Sequence, residues 1–398
     1  MSIGISYRVS YHLDSILHRA VNGNPPSEGE AAYLLSRQDP REIDRIMGAA
    51  RLVRERFFGN RIFLYGFIYF STYCRNHCAF CFYRKTNGFS PRYRKTAAEV
   101  LAIAAGLADS GVHLVDLTMG EDPLVHDAGD FDMLIEMTRT VREKTGLPVM
   151  VSPGVVPDEV LQRFSADKVD WYALYQETHT PALYGRLRLY QSFGERVVKR
   201  RVARELGMLV EDGILLGVGE SLSDRAHAIT AMKHAGVHQA RVMSLVPQVQ
   251  TPLAVREEPP RIEECLCIAV MRLVMPDRLI PASLDVDGIG GLRMRLDAGA
   301  NVVTSLIPPG DDLAGVSRSS LDIAEGLRTV PEVARVLKMT GLQAATADEY
   351  RQWVALQKGK KAEREGSDDD RRHCRRTAAG FGGCLSGASG RIQGSAHR

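Results

Sequence analysis

The chain has 398 residues, with 51 Lys and Arg against 48 Asp and Glu, and its net charge of +3 is too small over this length to call for nucleic acid. With 44% hydrophobic and 25% charged residues it reads as a globular protein, and no apolar run of about 18 residues is there to cross a membrane. The start Met1-Ser2-Ile3-Gly4-Ile5-Ser6 lacks the basic segment and apolar core of a secretory signal. A cytoplasmic location and no membrane or nucleic-acid partner are therefore expected. Seven cysteines, an odd number, fit reduced thiols better than a disulfide framework.

Residues 1–58 are expected to form a helical extension, in which 41–57 carries Ile43, Ile46, Met47, Ala50 and Val53 along one side. This extension would cap the closed end or one rim of the domain after it. From Ile62 onward short β-branched runs alternate with longer amphipathic stretches. Strands are predicted over 62–69, 112–118, 148–152, 169–175, 213–218, 240–245, 279–284 and 301–306. Helices are predicted between them over 96–110, 131–145, 158–164, 195–206, 224–235, 262–274 and 288–297.

Repeated βα units in that number imply an α/β fold, a (β/α)8 TIM-type barrel over residues 59–345. Reactive groups of such a barrel sit on loops at the carboxyl ends of its strands. After strand eight, helices are expected over 321–337 and, closing the folded part, within 346–356. The tail 357–398 is rich in Gly, Ser, Lys, Arg and Asp and cannot bury enough surface to order itself, so disorder is expected there. Cys374 and Cys384 fall in it. Cys265 and Cys267 lie two apart on a predicted helix, a spacing that puts them on different faces, and are read as packing residues.

The loop after the first predicted strand reads Cys74-Arg75-Asn76-His77-Cys78-Ala79-Phe80-Cys81. Cubane iron–sulfur clusters are usually held by four cysteine thiolates, so three at this spacing leave one iron open to a substrate or cofactor. A zinc site would need a fourth Cys or His at suitable spacing; His77 adjoins a ligand and points elsewhere in a compact loop, and no nearby Cys pair completes the tetrahedron.

Three further polar positions interrupt strands that should be apolar on both faces. They are Asp116, Arg241, and the pair Ser283 with Asp285, which share one strand face. Buried charges must be paired. Two carboxylates, a hydroxyl and a guanidinium suit a zwitterion with two ammoniums and one carboxylate, such as lysine or ornithine. An internal Asp116 to Arg241 salt bridge is the alternative.

The cysteine motif resembles that of the radical S-adenosylmethionine superfamily. The resemblance implies a 4Fe–4S cluster on Cys74, Cys78 and Cys81, and S-adenosylmethionine on the open iron. It also implies an aromatic position at Phe80, and a Gly-Gly-Glu-like segment at Met119-Gly120-Glu121, with Met119 where Gly is usual. Glu177 and Arg196 are similar in placement to the S-adenosylmethionine contacts of the biotin-synthase-like branch. Within that branch, the segments Tyr175-Gln176-Glu177-Thr178, Val210-Glu211-Asp212-Gly213 and Ile280-Pro281-Ala282-Ser283-Leu284-Asp285 are similar to the lysine mutase family of pyrrolysine biosynthesis, over roughly residues 40 to 350.

The resemblance then implies isomerisation of L-lysine to (3R)-3-methyl-D-ornithine. Asp116, Ser152, Arg241, Ser283 and Asp285 would hold the substrate, and an electron donor such as a ferredoxin or flavodoxin would be the partner. Competing readings are a biotin synthase, a maturase of iron-only hydrogenase, and a non-catalytic cluster carrier.

Overall fold

The computed structural model describes residues 12–308 and 327–364. Eight strands, β1 (Arg61–Ser71), β2 (Leu114–Met119), β3 (Val149–Ser152), β4 (Trp171–Ala173), β5 (Leu209–Leu216), β6 (Gln239–Ser244), β7 (Pro281–Ser283) and β8 (Val302–Leu306), follow the spatial order β6-β5-β4-β3-β2-β1-β8-β7. Every pairing among them is parallel. A bridge between Gln239 and Leu279, with the Ala240 N–H donating to the Leu279 carbonyl at 3.0 Å, joins β6 to the residues before β7. The ring is thus closed at its lower end, and the expected barrel is present. Its strands read as continuous apolar runs because helices cover the outside.

Outer helices include α4 (Ala97–Ser110), α6 (Asp132–Thr145), α7 (Asp158–Ala166), α9 (Phe193–Glu205), α10 (Leu222–His234), α11 (Arg261–Val274) and α12 (Leu292–Asp297). Local chemistry sets their limits. Thr96 and Glu99 form a reciprocal capping box at the start of α4, and Gly111, left-handed at φ 88°, ends it.

The extension forms α1 (Leu13–Val21), α2 (Glu28–Leu35) and α3 (Pro40–Phe58), and these lie against the outer helices α10 and α11 instead of across the end of the barrel. In consequence α11 is buried all round from Glu264 to Val274, with Cys265 and Cys267 both inside.

The lower end is closed by the C-terminal helix, numbered α14 (Ala347–Arg364) after α13 (Val330–Met339). Tyr350 enters the barrel, where its hydroxyl lies 2.9 Å from that of Tyr65 and accepts from Trp171 Nε1 at 3.0 Å. Trp353 stacks on Trp171 with centroids 6.0 Å apart and planes 6° from parallel. Phe63, Leu114, Met150 and Leu209 complete a dry floor. The two-residue strand β9 (Gln343–Ala344) leads into this helix by pairing with the start of β1.

The helix continues past Leu356, because Gln357 is buried and accepts from Arg278 Nη1, and Lys358 pairs with Asp170 at 2.7 Å. Residues 357–364, expected to be disordered with the rest of the tail 357–398, are thus helical, and 365–398 lie outside the described residues, as does the first part of the helix predicted over 321–337.

Candidate active site

The cysteine loop leaves the upper end of β1 and is held by the segments that follow β2 and β4. The Arg75 N–H donates to the Glu121 carbonyl at 2.8 Å, and the Ala79 N–H donates to the Leu187 carbonyl at 2.7 Å. Gly120 sits so close that a Cβ there would lie 2.3 Å from the Tyr73 carbonyl oxygen and 2.9 Å from Cys74 Cβ. Only glycine fits this approach.

All three loop cysteines are free. Burial pushes the Cys74 thiol up to about 11. It raises Cys81 as well, with Cys78 and Cys74 adding to the effect, so the three sulfurs lie within electrostatic reach of one another. Among the described residues no three His, Cys, Asp or Glu side chains converge on one metal ion, which leaves the zinc alternative without a ligand set. A 4Fe–4S cluster takes its thiolates on separate irons and does not need them to meet at one ion. His77 instead meets the ring of Tyr190 edge-on at 5.6 Å.

Around this loop the structure collects the residues expected at the cofactor. Glu121 is a staple. Its carboxylate accepts from Arg75 Nε and from the Val155 N–H, both at 3.1 Å, and lies 3.9 Å from Arg196 Nη1. Burial would raise its pKa, but His126 and Arg196 hold it below the usual value. Gly154, at φ 83°, leaves room for it, since a Cβ there would meet Glu121 Cγ at 2.3 Å. The Met119 side chain points into the core, so at Met119 and Gly120 the backbone is what the loop presents.

Glu177 adopts a left-handed φ of 66° and pairs with Arg188 at 2.6 Å. Burial raises its pKa. Arg196 is buried and donates through Nε and Nη2 to the Tyr175 carbonyl, so it is no surface ion pair. Arg188 is one residue that sequence reasoning missed. It joins Glu177 to the cysteine loop by reaching Cys78 Sγ at 3.6 Å and the Phe80 ring at 5.5 Å.

Below the loop and above the dry floor lies a polar layer of inward side chains. Arg241 on β6 donates from Nε to Glu211 at 2.7 Å and from Nη1 to Thr304 at 3.1 Å, and lies 5.6 Å from the centre of the Tyr175 ring. The expected alternative, a bridge from Arg241 to Asp116, is not formed. Asp116 on β2 instead accepts from Thr118 at 3.0 Å and Ser152 at 3.2 Å. Burial, and then the charge of Glu211, push Asp116 up to about 7.

Asp285 accepts from Ser283 and Ser305 at 3.0 and 2.7 Å and pairs with Arg328 at 2.8 Å. Ser305 reaches it through a bulge. The register passes from Leu64 opposite Val303 to Gly66 opposite Leu306, and Ser305 takes φ 69°.

The Radical SAM superfamily matches residues 68–232. The 3-methylornithine synthase of Methanosarcina barkeri is 41% identical over 337 residues, 85% of this chain and 95% of the relative. The chain belongs to the 3-methylornithine synthase family. A crystal structure of methylornithine synthase (PylB) superposes with a TM-score of 0.81 at 40% identity, covering 85% of this chain and 99% of that one. The FeFe-hydrogenase maturase subunit HydE of Thermotoga maritima is more distant, 28% identical over 63% of this chain and 72% of the relative.

As a radical S-adenosylmethionine enzyme of the 3-methylornithine synthase family, the chain uses a 4Fe–4S cluster and S-adenosylmethionine. The three free thiols and the glycine-lined approach fit that pair of cofactors. Glu211 was missed as a pocket residue because the acids Glu211-Asp212 hid the first half of β5, which starts at Leu209 and not at 213. Thr304, Ser305 and Arg328 gave no signal, since the bulge and the return of the chain are properties of the fold.

Proposed function

We propose that this chain is a cytoplasmic carbon-skeleton mutase that isomerises L-lysine to (3R)-3-methyl-D-ornithine, the first step of pyrrolysine biosynthesis. The observation that carries the reading is the polar layer itself, a guanidinium and a lone acid on opposite walls of a closed barrel, directly below a three-cysteine loop. Strands β2 and β6 stand four apart in a ring of eight. Arg241 would grip the carboxylate at one wall, where Thr304 and Glu211 fix its guanidinium.

Asp116 with Ser152 would take the side-chain ammonium at the other wall, while Ser283 and Asp285 line the side next to β6. Bound at the loop, the cluster and S-adenosylmethionine supply a carbon-centred radical able to abstract hydrogen. Cys74, Cys78 and Cys81 would ligate the cluster. Phe80, the backbone of Met119 and Gly120, Glu121, Glu177 and Arg196 would bound the S-adenosylmethionine. Holding the substrate at both ends keeps fragments formed in mid-reaction together. A low-potential donor such as a ferredoxin or flavodoxin would deliver the electron.

Anaerobically reconstituted protein, given lysine, reductant and S-adenosylmethionine, should yield an isomer of unchanged mass and new retention time. Deoxyadenosine without any change in lysine would favour a maturase-like substrate, and no deoxyadenosine would favour a cluster carrier.

A further inference from the structure

The three acids of the polar layer are not equally committed. Asp285 already has a guanidinium and two hydroxyls as donors. Asp116 receives two hydroxyls on Oδ1. Glu211, fully buried on β5, binds Arg241 through Oε1 at 2.7 Å, while its Oε2 is buried with no hydrogen-bond partner. The Tyr175 hydroxyl is close enough for Glu211 to raise its pKa, but it does not reach Oε2 in hydrogen-bond geometry. A buried carboxylate oxygen without a donor is a standing cost to the fold, and such costs concentrate where a ligand relieves them.

The chemistry of the ligand end matches. In an α-amino acid the ammonium and the carboxylate hang on one carbon, so the groups that hold them must be neighbours. Arg241 and Glu211 are neighbours, on paired strands and in contact. We propose that Glu211 is a substrate-binding acid: Oε1 sets the guanidinium of Arg241, and Oε2 receives the α-ammonium of the amino acid whose carboxylate Arg241 clamps. This rests on the amino-acid reading of the pocket. The pair is neutral before binding and meets a zwitterionic end that is also neutral, which leaves Asp116 as the acid for the distal ammonium.

The test compares L-lysine with 6-aminohexanoate, which keeps the carboxylate and distal ammonium but lacks the α-ammonium. Binding is measured by anaerobic calorimetry on cluster-loaded protein with S-adenosylmethionine present. Glu211→Gln keeps an acceptor for Arg241 and removes the charge. Lysine should then bind about 10- to 100-fold more weakly, the factor a charged hydrogen bond carries, while 6-aminohexanoate stays within about threefold of wild type.

Equal losses for both ligands, or no loss for lysine, would overturn the assignment. Should Glu211→Gln not fold, Glu211→Asp decides. It retains the charge one methylene short and must lower the preference for lysine over 6-aminohexanoate, and an unchanged preference overturns the proposal. A wild-type protein that binds no lysine defeats the substrate reading itself, an outcome distinct from failure of the Glu211 variants alone.

Discussion

Asp116→Asn should make the protein more resistant to heat at alkaline pH while abolishing its response to lysine. Asp116 is buried among strands β1, β2 and β3, and its carboxyl is pushed up to about 7 from an ordinary 3.8. The folded protein therefore holds the proton more tightly than the unfolded chain. The stability this contributes is complete below about pH 4 and is lost progressively as pH rises to and through 7.

At about 1.36 kcal/mol for each tenfold change in proton affinity, the full cost of ionisation is on the order of 4 kcal/mol. About 3 kcal/mol of it falls between pH 5 and pH 9. With an unfolding entropy of about 2.1 cal/mol/K per residue, that equals roughly 4 °C in Tm for a chain of this length. Thermal unfolding of cluster-loaded wild type and Asp116→Asn, followed by circular dichroism at pH 5, 7 and 9, should show the variant gaining by about that amount as pH rises. Saturating lysine, whose ammonium would neutralise Asp116, should stabilise the wild type by about 2.7 kcal/mol at a hundredfold excess over Kd and leave the variant nearly unmoved. Parallel Tm curves across the pH range would refute the reasoning.

Arg241→Lys loses the bonds to Glu211 and Thr304 as well as the planar grip on a carboxylate, so KM for lysine should rise about 100-fold; steady-state kinetics showing an unchanged KM would remove Arg241 from the clamp. Gly120→Ala places a methyl 2.3 Å from the Tyr73 carbonyl oxygen, and iron per chain should fall well below wild type with the far-ultraviolet spectrum unchanged. A full iron complement would show that the loop can yield. Trp353→Ala strips the stacking partner from Trp171 and should cost about 3 kcal/mol, the low end for a Trp that is only partly buried, read as a Tm lowered by roughly 4 °C.

Much of the barrel was legible because periodicity is a property of each strand and helix alone. The eight strand positions, the cysteine loop and the inward acids Asp116 and Asp285 could be read from residue order. What could not be read depends on which strand stands beside which. The alternative bridge from Arg241 to Asp116 took no account of strand order: β6 adjoins β5, so Glu211 is nearer and takes the guanidinium. Arg188, at the end of a short helix with no periodic signature, gave no sign that it would pair with Glu177. The floor was missed for a similar reason. Tyr350 and Trp353 lie on a short amphipathic stretch, and only the closed ring shows that their rings have a hole to fill.

The separate origin of that floor has a consequence for redesign. The polar layer belongs to the repeating βα units, whereas the floor beneath it includes two aromatic rings carried on a helix outside the repeat. Part of the floor is therefore set by a stretch of chain that has no share in the polar layer. A library confined to Tyr350 and Trp353 could reshape the floor below the polar layer without touching any residue proposed to hold the amino-acid head.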